Sequence, residues 1–163
     1  MPHPFPQPTQ LYLLRHADAE TIAPSDDERF LSEKGTVQAQ RVARFCEAHE
    51  IAPKIIFTSP LRRAHQTAAI VAEKLHSELR TVRWLACGAQ PAATLQQIQD
   101  YRTAPALMLV GHEPDLSTLA AYLLGAADSA NIHVRKASLL AFSVFEFRAG
   151  GARLEFSLPA RMV

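Results

Sequence analysis

The sequence predicts a three-layer α/β/α domain: a central, mostly parallel sheet with helices on both faces, closed by an antiparallel C-terminal hairpin. Two observations carry that expectation. The first is a set of short, almost wholly apolar runs: Leu11-Tyr12-Leu13-Leu14, Lys54-Ile55-Ile56-Phe57 and Ala106-Leu107-Met108-Leu109-Val110. Each is too short for a globular helix and lacks the alternation of a half-exposed strand, so each suits a strand covered on both faces. The second is what lies between them, segments whose apolar residues recur at helical spacing, as parallel strands with crossover helices require.

The elements follow in order. Pro2, Pro4, Pro6 and Pro8 make residues 1–9 an extended, mobile tail. The first strand comes next, and Ala19 to Phe30 reads as a polar loop over its end. Ser32 caps a helix with Glu33 in its first turn, and Ala39, Val42, Ala43 and Cys46 share one face. After the second strand, Ser59 is a good N-cap and Pro60 a natural first residue for a helix buried through Leu61, Ala64, Ala68, Val71 or Ala72, and Leu75. Thr81 to Leu85 reads as a short strand and Ala92 to Tyr101 as a short helix. A further helix starts near Pro114, buries Leu116, Leu119, Ala120 and Leu123, and stops at Gly125. Ala137 to Phe147 and Arg153 to Leu158 form a hairpin through Ala149-Gly150-Gly151.

A chain of 163 residues, 48% hydrophobic, fits one domain with a real core, here residues 10–163. The net charge of +1 gives no basic excess for nucleic acid or an anionic membrane. No apolar run approaches a membrane span, and the N-terminus lacks the pattern of a signal peptide. Cys46 and Cys87 have no metal spacing and are too few for a disulfide scaffold, which points to a reducing cytoplasm.

The chemistry sits where the apolar strands end. The first runs into Arg15-His16-Ala17-Asp18, the second into Ser59-Pro60-Leu61-Arg62-Arg63, the third into Gly111-His112-Glu113. Ligands of open α/β sheets bind outside the carboxyl ends of the strands, so these residues should meet in one pocket. Guanidinium groups hold phosphate oxygens bidentately, and imidazole serves as nucleophile or proton carrier near neutral pH. Together they argue for phosphoryl transfer. Clustered histidines also suggest metal, but no HExxH or close Cys/His spacing is present, and the guanidiniums would repel a dication. There is no Walker loop either, so neither metal nor cofactor is expected. His3, His49, His65, His76 and His133 read as surface or helix residues.

These motifs resemble those of the histidine phosphatase (phosphoglycerate mutase-like) superfamily. Arg15-His16-Ala17 is similar to its Arg-His-Gly element, Ser59 to Thr67 to its Ser-Pro-x-x-Arg-Ala-x-x-Thr element, and Gly111-His112 to the turn with its second histidine. The compact length, the Asp26 to Gly35 stretch and Gly111-His112-Glu113-Pro114 resemble the short, SixA-like branch of phosphohistidine phosphatases. The resemblance implies a metal-independent phosphatase in which His16 becomes transiently phosphorylated while Arg15, Arg63 and His112 hold the phosphoryl oxygens. It leaves Arg62 an outer role; Arg29 either reaches over the pocket or makes a plain salt bridge.

Two departures bear on substrate. Ala17 replaces the signature glycine, which requires negative φ there. Ester-cleaving branches supply a glutamate where this chain has Ala86-Cys87-Gly88-Ala89-Gln90-Pro91. An alkoxide needs a proton to leave whereas an imidazole leaves more readily, so the missing acid favours protein phosphohistidine as substrate. Asp18 and Glu113 are the carboxylates that could replace it, or could instead orient an arginine or cap a helix. The alternatives are a phosphatase of small phosphoesters or sugar phosphates, and a phosphate-recognition module without turnover.

Overall fold

Leu11 and Leu13 lie in one hydrophobic cluster while Tyr12 and Leu14 lie in another, on the opposite face of the same strand. The computed structural model describes residues 7–163. Its elements are β1 (Thr9–Arg15), α1 (Glu33–Ala48), β2 (Ile55–Thr58), α2 (Arg62–Leu75), β3 (Glu78–Thr81), α3 (Pro91–Ile98), β4 (Ala106–Gly111), α4 (Asp115–Leu124), β5 (Leu139–Val144) and β6 (Ala152–Leu158). The strands make one sheet in the order β3-β2-β4-β1-β5-β6. β3, β2, β4 and β1 run parallel, and β5 and β6 are antiparallel additions.

One face is covered by α1 and α2, through Ala39, Val42, Ala43, Cys46, Ala64, Ala68 and Val71. The other is covered by α3 and α4, through Leu95, Ile98, Leu116, Leu119 and Leu123. This is the expected three-layer α/β/α arrangement, and it explains why β1, β2 and β4 lack polar alternation. Leu11, Leu13 and Leu14 are fully buried, each contributing roughly 1.5–3 kcal/mol of transfer free energy. No helix among the described residues is long and apolar enough to cross a membrane.

Several boundaries differ from the sequence reading. The strand expected at Thr81 to Leu85 lies earlier, at Glu78–Thr81, and Arg83–Leu85 is a 3-10 turn. β3 is an exposed edge strand without an apolar signature, whereas Leu85 is buried under the turn and Trp84 packs on Phe57. α2 begins at Arg62 and not at Pro60. The Ser59 N–H is still bonded to the Val110 carbonyl at 3.1 Å, so Ser59-Pro60-Leu61 form the turn between strand and helix. α3 ends at Ile98 and passes into a 3-10 turn, Gln99–Tyr101. β5 starts at Leu139 and ends at Val144; Ala137, assigned to it from sequence, has φ 56 and gives its N–H to the carbonyls of Arg15 and His16. Thr9, placed in the tail from sequence, is the buried first residue of β1. The prolines up to Pro6 and His3 lie outside the described residues.

Candidate active site

The parallel register brings the three chemical strand ends together. Arg15 stands opposite Gly111, and Thr58 opposite Val110. Past these pairs the ladder continues one bond further on each side of β4: His16 N–H to the Gly111 carbonyl at 3.0 Å, and Ser59 N–H to that of Val110. His16, His112 and Ser59 are therefore neighbours by strand pairing alone. The His16 and His112 ring centroids are 5.3 Å apart. Arg63 enters from the first turn of α2. His16, His112 and Arg63 are 6%, 3% and 5% exposed, so the cluster is desolvated although all three groups are polar.

Hydrogen bonds assign the protons. His16 Nδ1 lies 2.7 Å from the Ala17 carbonyl oxygen, which can only accept. Nδ1 therefore carries the proton, and Nε2 keeps its lone pair, facing the Arg63 Nε–H at 3.3 Å. His112 Nε2 lies 2.7 Å from Ser59 Oγ. That oxygen also accepts the Leu61 N–H, and its own proton has no other acceptor among the described residues, so it points to Nε2. The His112 proton then resides on Nδ1, a buried donor without a partner among the described residues, as is Arg15 Nε. Arg15 is held in place through Nη1, which donates to the Val134 carbonyl at 3.0 Å. The site thus offers one nucleophilic nitrogen and several donors suited to an oxyanion.

Burial pushes His16 down to about 3, reinforced by His112, Arg63 and Arg15, against the opposing Ala17 hydrogen bond. Burial, then Arg63, pushes His112 down to about 4. Both rings are neutral at neutral pH. Their folded values lie below the ordinary histidine value of about 6.5, so between these limits the unfolded chain binds more protons than the folded one. Stability is complete above about 6.5 and falls as pH drops toward 4 and 3. With each ring taking up nearly one more proton in the unfolded chain at pH 4.5, chemical denaturation should show on the order of 5 kcal/mol less stability there than at pH 7.5. His112→Asn should flatten that slope; a wild-type protein more stable at the lower pH would contradict the assignment.

The surrounding residues hold this arrangement. Thr67 Oγ1 accepts the Ala17 N–H at 3.0 Å and donates to the Arg63 carbonyl at 2.7 Å, tying the β1 end to α2. Ala17 is fully buried and is not among the residues with positive φ, so alanine is accommodated there. Asp18 pairs with Lys136 Nζ and accepts from Ser32 Oγ, both at 2.7 Å. Gly35 completes this corner, since an added Cβ would come within 1.8 Å of the Asp18 carbonyl oxygen.

Both carboxylates considered as acids have structural partners. The Lys136 hydrogen bond holds the Asp18 carboxyl below its usual range, the reverse of what an acid requires. Glu113 Oε1 accepts the Ser117 N–H at 2.8 Å and so caps α4. Arg29 donates to the Glu20 carbonyl at 2.7 Å and pairs with Asp26 at 3.0 Å, so the salt-bridge alternative is present, on the same carboxylate that pairs with Arg63. Arg62 is exposed and stacks over Phe30, 4.3 Å from its ring centre. His49 and His76 terminate α1 and α2, His65 lies on α2, and His133 is exposed.

Asp26 is the site neighbour that sequence reasoning missed as a functional residue. Its carbonyl accepts from Arg63 Nη1 at 2.7 Å, and its Oδ2 pairs with Nη2 at 3.0 Å. Ser59 and Thr67 were visible as motif residues, but not their roles in setting a tautomer and bracing the β1 end.

A family model described as histidine phosphatase superfamily (branch 1) matches residues 11–87, which hold Arg15, His16 and Arg63. The chain belongs to the histidine phosphatase superfamily. A relative in Picosynechococcus sp., itself uncharacterized, is 31% identical to this family member over 151 residues, covering 90% of the present chain and 88% of its own. The fold is that of the protein histidine phosphatase SixA complexed with tungstate: TM-score 0.85, 19% identity, 94% of this chain and 98% of the other covered. An alpha-ribazole phosphatase from Shigella flexneri is also similar, with TM-score 0.75, 16% identity, and coverage of 93% and 97%. His112, outside the segment matched by the family model, is brought beside His16 by the register of β4 with β1.

Proposed function

We propose that the chain is a phosphatase that forms a phosphohistidine intermediate on His16 and removes phosphate from phosphohistidine in a protein. One observation carries the reading: the unprotonated Nε2 of His16 faces the Arg63 Nε–H, and two buried donors of the neighbouring Arg15 and His112, Nε and Nδ1, have no partner among the described residues. An incoming phosphoryl group would supply their acceptors. Nε2 attacks phosphorus and the bond to the substrate's ring nitrogen breaks; the electron pair stays on that nitrogen, and with the ring's other nitrogen protonated by solvent it leaves as neutral imidazole. Water then attacks the phosphorus on His16, the second N–P bond breaks and its pair returns to Nε2. The water's proton leaves with the product. The guanidiniums and His112 stabilise the equatorial oxygens in both steps, so the charge is balanced without a metal.

Substrate choice follows from the carboxylates. Asp18 and Glu113 are engaged as described, and in the 86–90 turn the carboxylate present is Asp115 from α4, whose Oδ2 accepts the N–H groups of Gly88 and Ala89 at 2.8 and 3.1 Å. With these carboxylates engaged as hydrogen-bond acceptors, an alkoxide, which needs more help to leave than an imidazole, has less of it, which favours a phosphoramidate. Cys46 and Cys87 are free thiols, which supports a cytoplasmic setting.

The test compares turnover of a phosphohistidine-bearing protein with turnover of phosphoserine, sugar phosphates and an aryl phosphate. A preference of about 10²-fold or more for phosphohistidine over alkyl esters is expected. Faster turnover of alkyl esters, lost on Glu113→Gln, would replace this reading with that of a phosphoester phosphatase. Binding of phosphate without turnover of any substrate would replace it with a recognition module.

A further inference from the structure

Arg63 has no uncommitted side-chain nitrogen. Nε faces His16 Nε2, Nη1 donates to the Asp26 carbonyl, and Nη2 pairs with the Asp26 carboxylate. Asp26 thus grips the guanidinium with two oxygens, as a phosphoryl group would. Arg29 Nη1 holds the other carboxylate oxygen at 3.0 Å. The two ends of this contact differ in setting. The Arg63 side chain is 6% exposed, whereas that of Asp26 is 60% exposed and rides on a three-residue 3-10 turn, Asp26–Glu28, with no buried residue.

We propose that Asp26 is an internal competitor for Arg63 that determines how tightly the site holds phosphoryl groups. The proposal rests on the phosphatase reading, in which Arg63 binds phosphoryl oxygens. A ligand that takes the Nη1 and Nη2 N–H bonds now held by the Asp26 carbonyl and carboxylate must first displace them, so its apparent affinity is its intrinsic affinity scaled by the fraction of molecules in which Asp26 is released. The exposed turn allows that displacement without opening the core. The device acts most strongly against small ligands with few other contacts, above all the product phosphate, and favours substrates with further contacts to the protein surface.

The experiment measures binding of inorganic phosphate by calorimetry to the wild-type protein and to Asp26→Ala, Asp26→Asn, Asp27→Asn and Arg63→Ala. Asp26→Ala should bind phosphate about fivefold more tightly, the scale of a lost ion pair near a surface, and Asp26→Asn should follow by a smaller factor. Asp27→Asn, which removes the same charge next door, should change affinity by less than half as much as Asp26→Asn. Unchanged or weaker binding to Asp26→Ala would overturn the proposal, as would equal tightening in Asp26→Asn and Asp27→Asn. Arg63→Ala separates the two levels: wild-type phosphate binding that survives this substitution would overturn the anion-site reading itself. If it is lost, the Asp26 variants alone decide. Amide exchange offers a second readout. Saturating phosphate should accelerate exchange at residues 25–29 of the wild type, and unchanged exchange there would also overturn the displacement.

Discussion

His16→Ala should abolish turnover, with a loss on the order of 10⁴-fold or more, because it removes the unprotonated Nε2 that faces Arg63. The neighbouring imidazole cannot substitute: His112 Nε2 is occupied by Ser59 Oγ, and the proton assigned to Nδ1 makes that nitrogen a donor. Phosphate binding should persist, since Arg15, Arg63 and His112 remain. Rapid-quench labelling with a radiolabelled phosphohistidine substrate should trap an acid-labile, base-stable phosphoryl group on the peptide containing His16. Label on another residue, or a His16→Ala protein with substantial turnover, would refute the covalent mechanism. The variant also separates chemistry from recognition, since it removes one ring and leaves the oxyanion donors in place.

Arg63→Ala should lower kcat by roughly 10²–10³-fold, the cost of losing a preorganised donor to developing oxyanion charge. Arg63→Lys should recover little. A lysine is a point charge, whereas here Nε meets the nucleophile while the two terminal nitrogens present a planar fork to two oxygens. The substitution should also show in the nucleophile's titration. Arg63 is one of the cations that lower His16, so its removal should move His16 upward from about 3, as read by NMR of the imidazole. A merely structural arginine would leave that titration unmoved in a variant that folds. Near-normal kcat in folded Arg63→Ala would exclude Arg63 from the reaction.

Much of the architecture was legible because burial on both faces leaves a plain record. Leu11 to Leu14 and Ala106 to Val110 contain no polar residue, and the structure covers both with helices on each side. The edge strand Glu78–Thr81 was misplaced for the converse reason. It is largely exposed, so its residues carry no apolar signal, while Leu85 and Trp84 mimic one through packing beneath a turn. Ser59 was assigned to a helix cap because Ser-Pro commonly starts one, yet pairing with β4 extends past Thr58 and delays the helix to Arg62.

By itself the sequence determined the layered fold and the group Arg15, His16, Arg63 and His112, since each belongs to a local pattern: an apolar run, a motif and the residue just beyond it. Tertiary structure alone decided what those groups face. Lys136 reaches Asp18 from 118 positions away, Ser59 sets the His112 tautomer across 53, and Asp26 covers Arg63 across 37. Such partners are chosen by the order of strands in the sheet and by the path of a loop over their ends. Neither leaves a periodicity in the chain, because a single long-range hydrogen bond constrains only the two residues that make it.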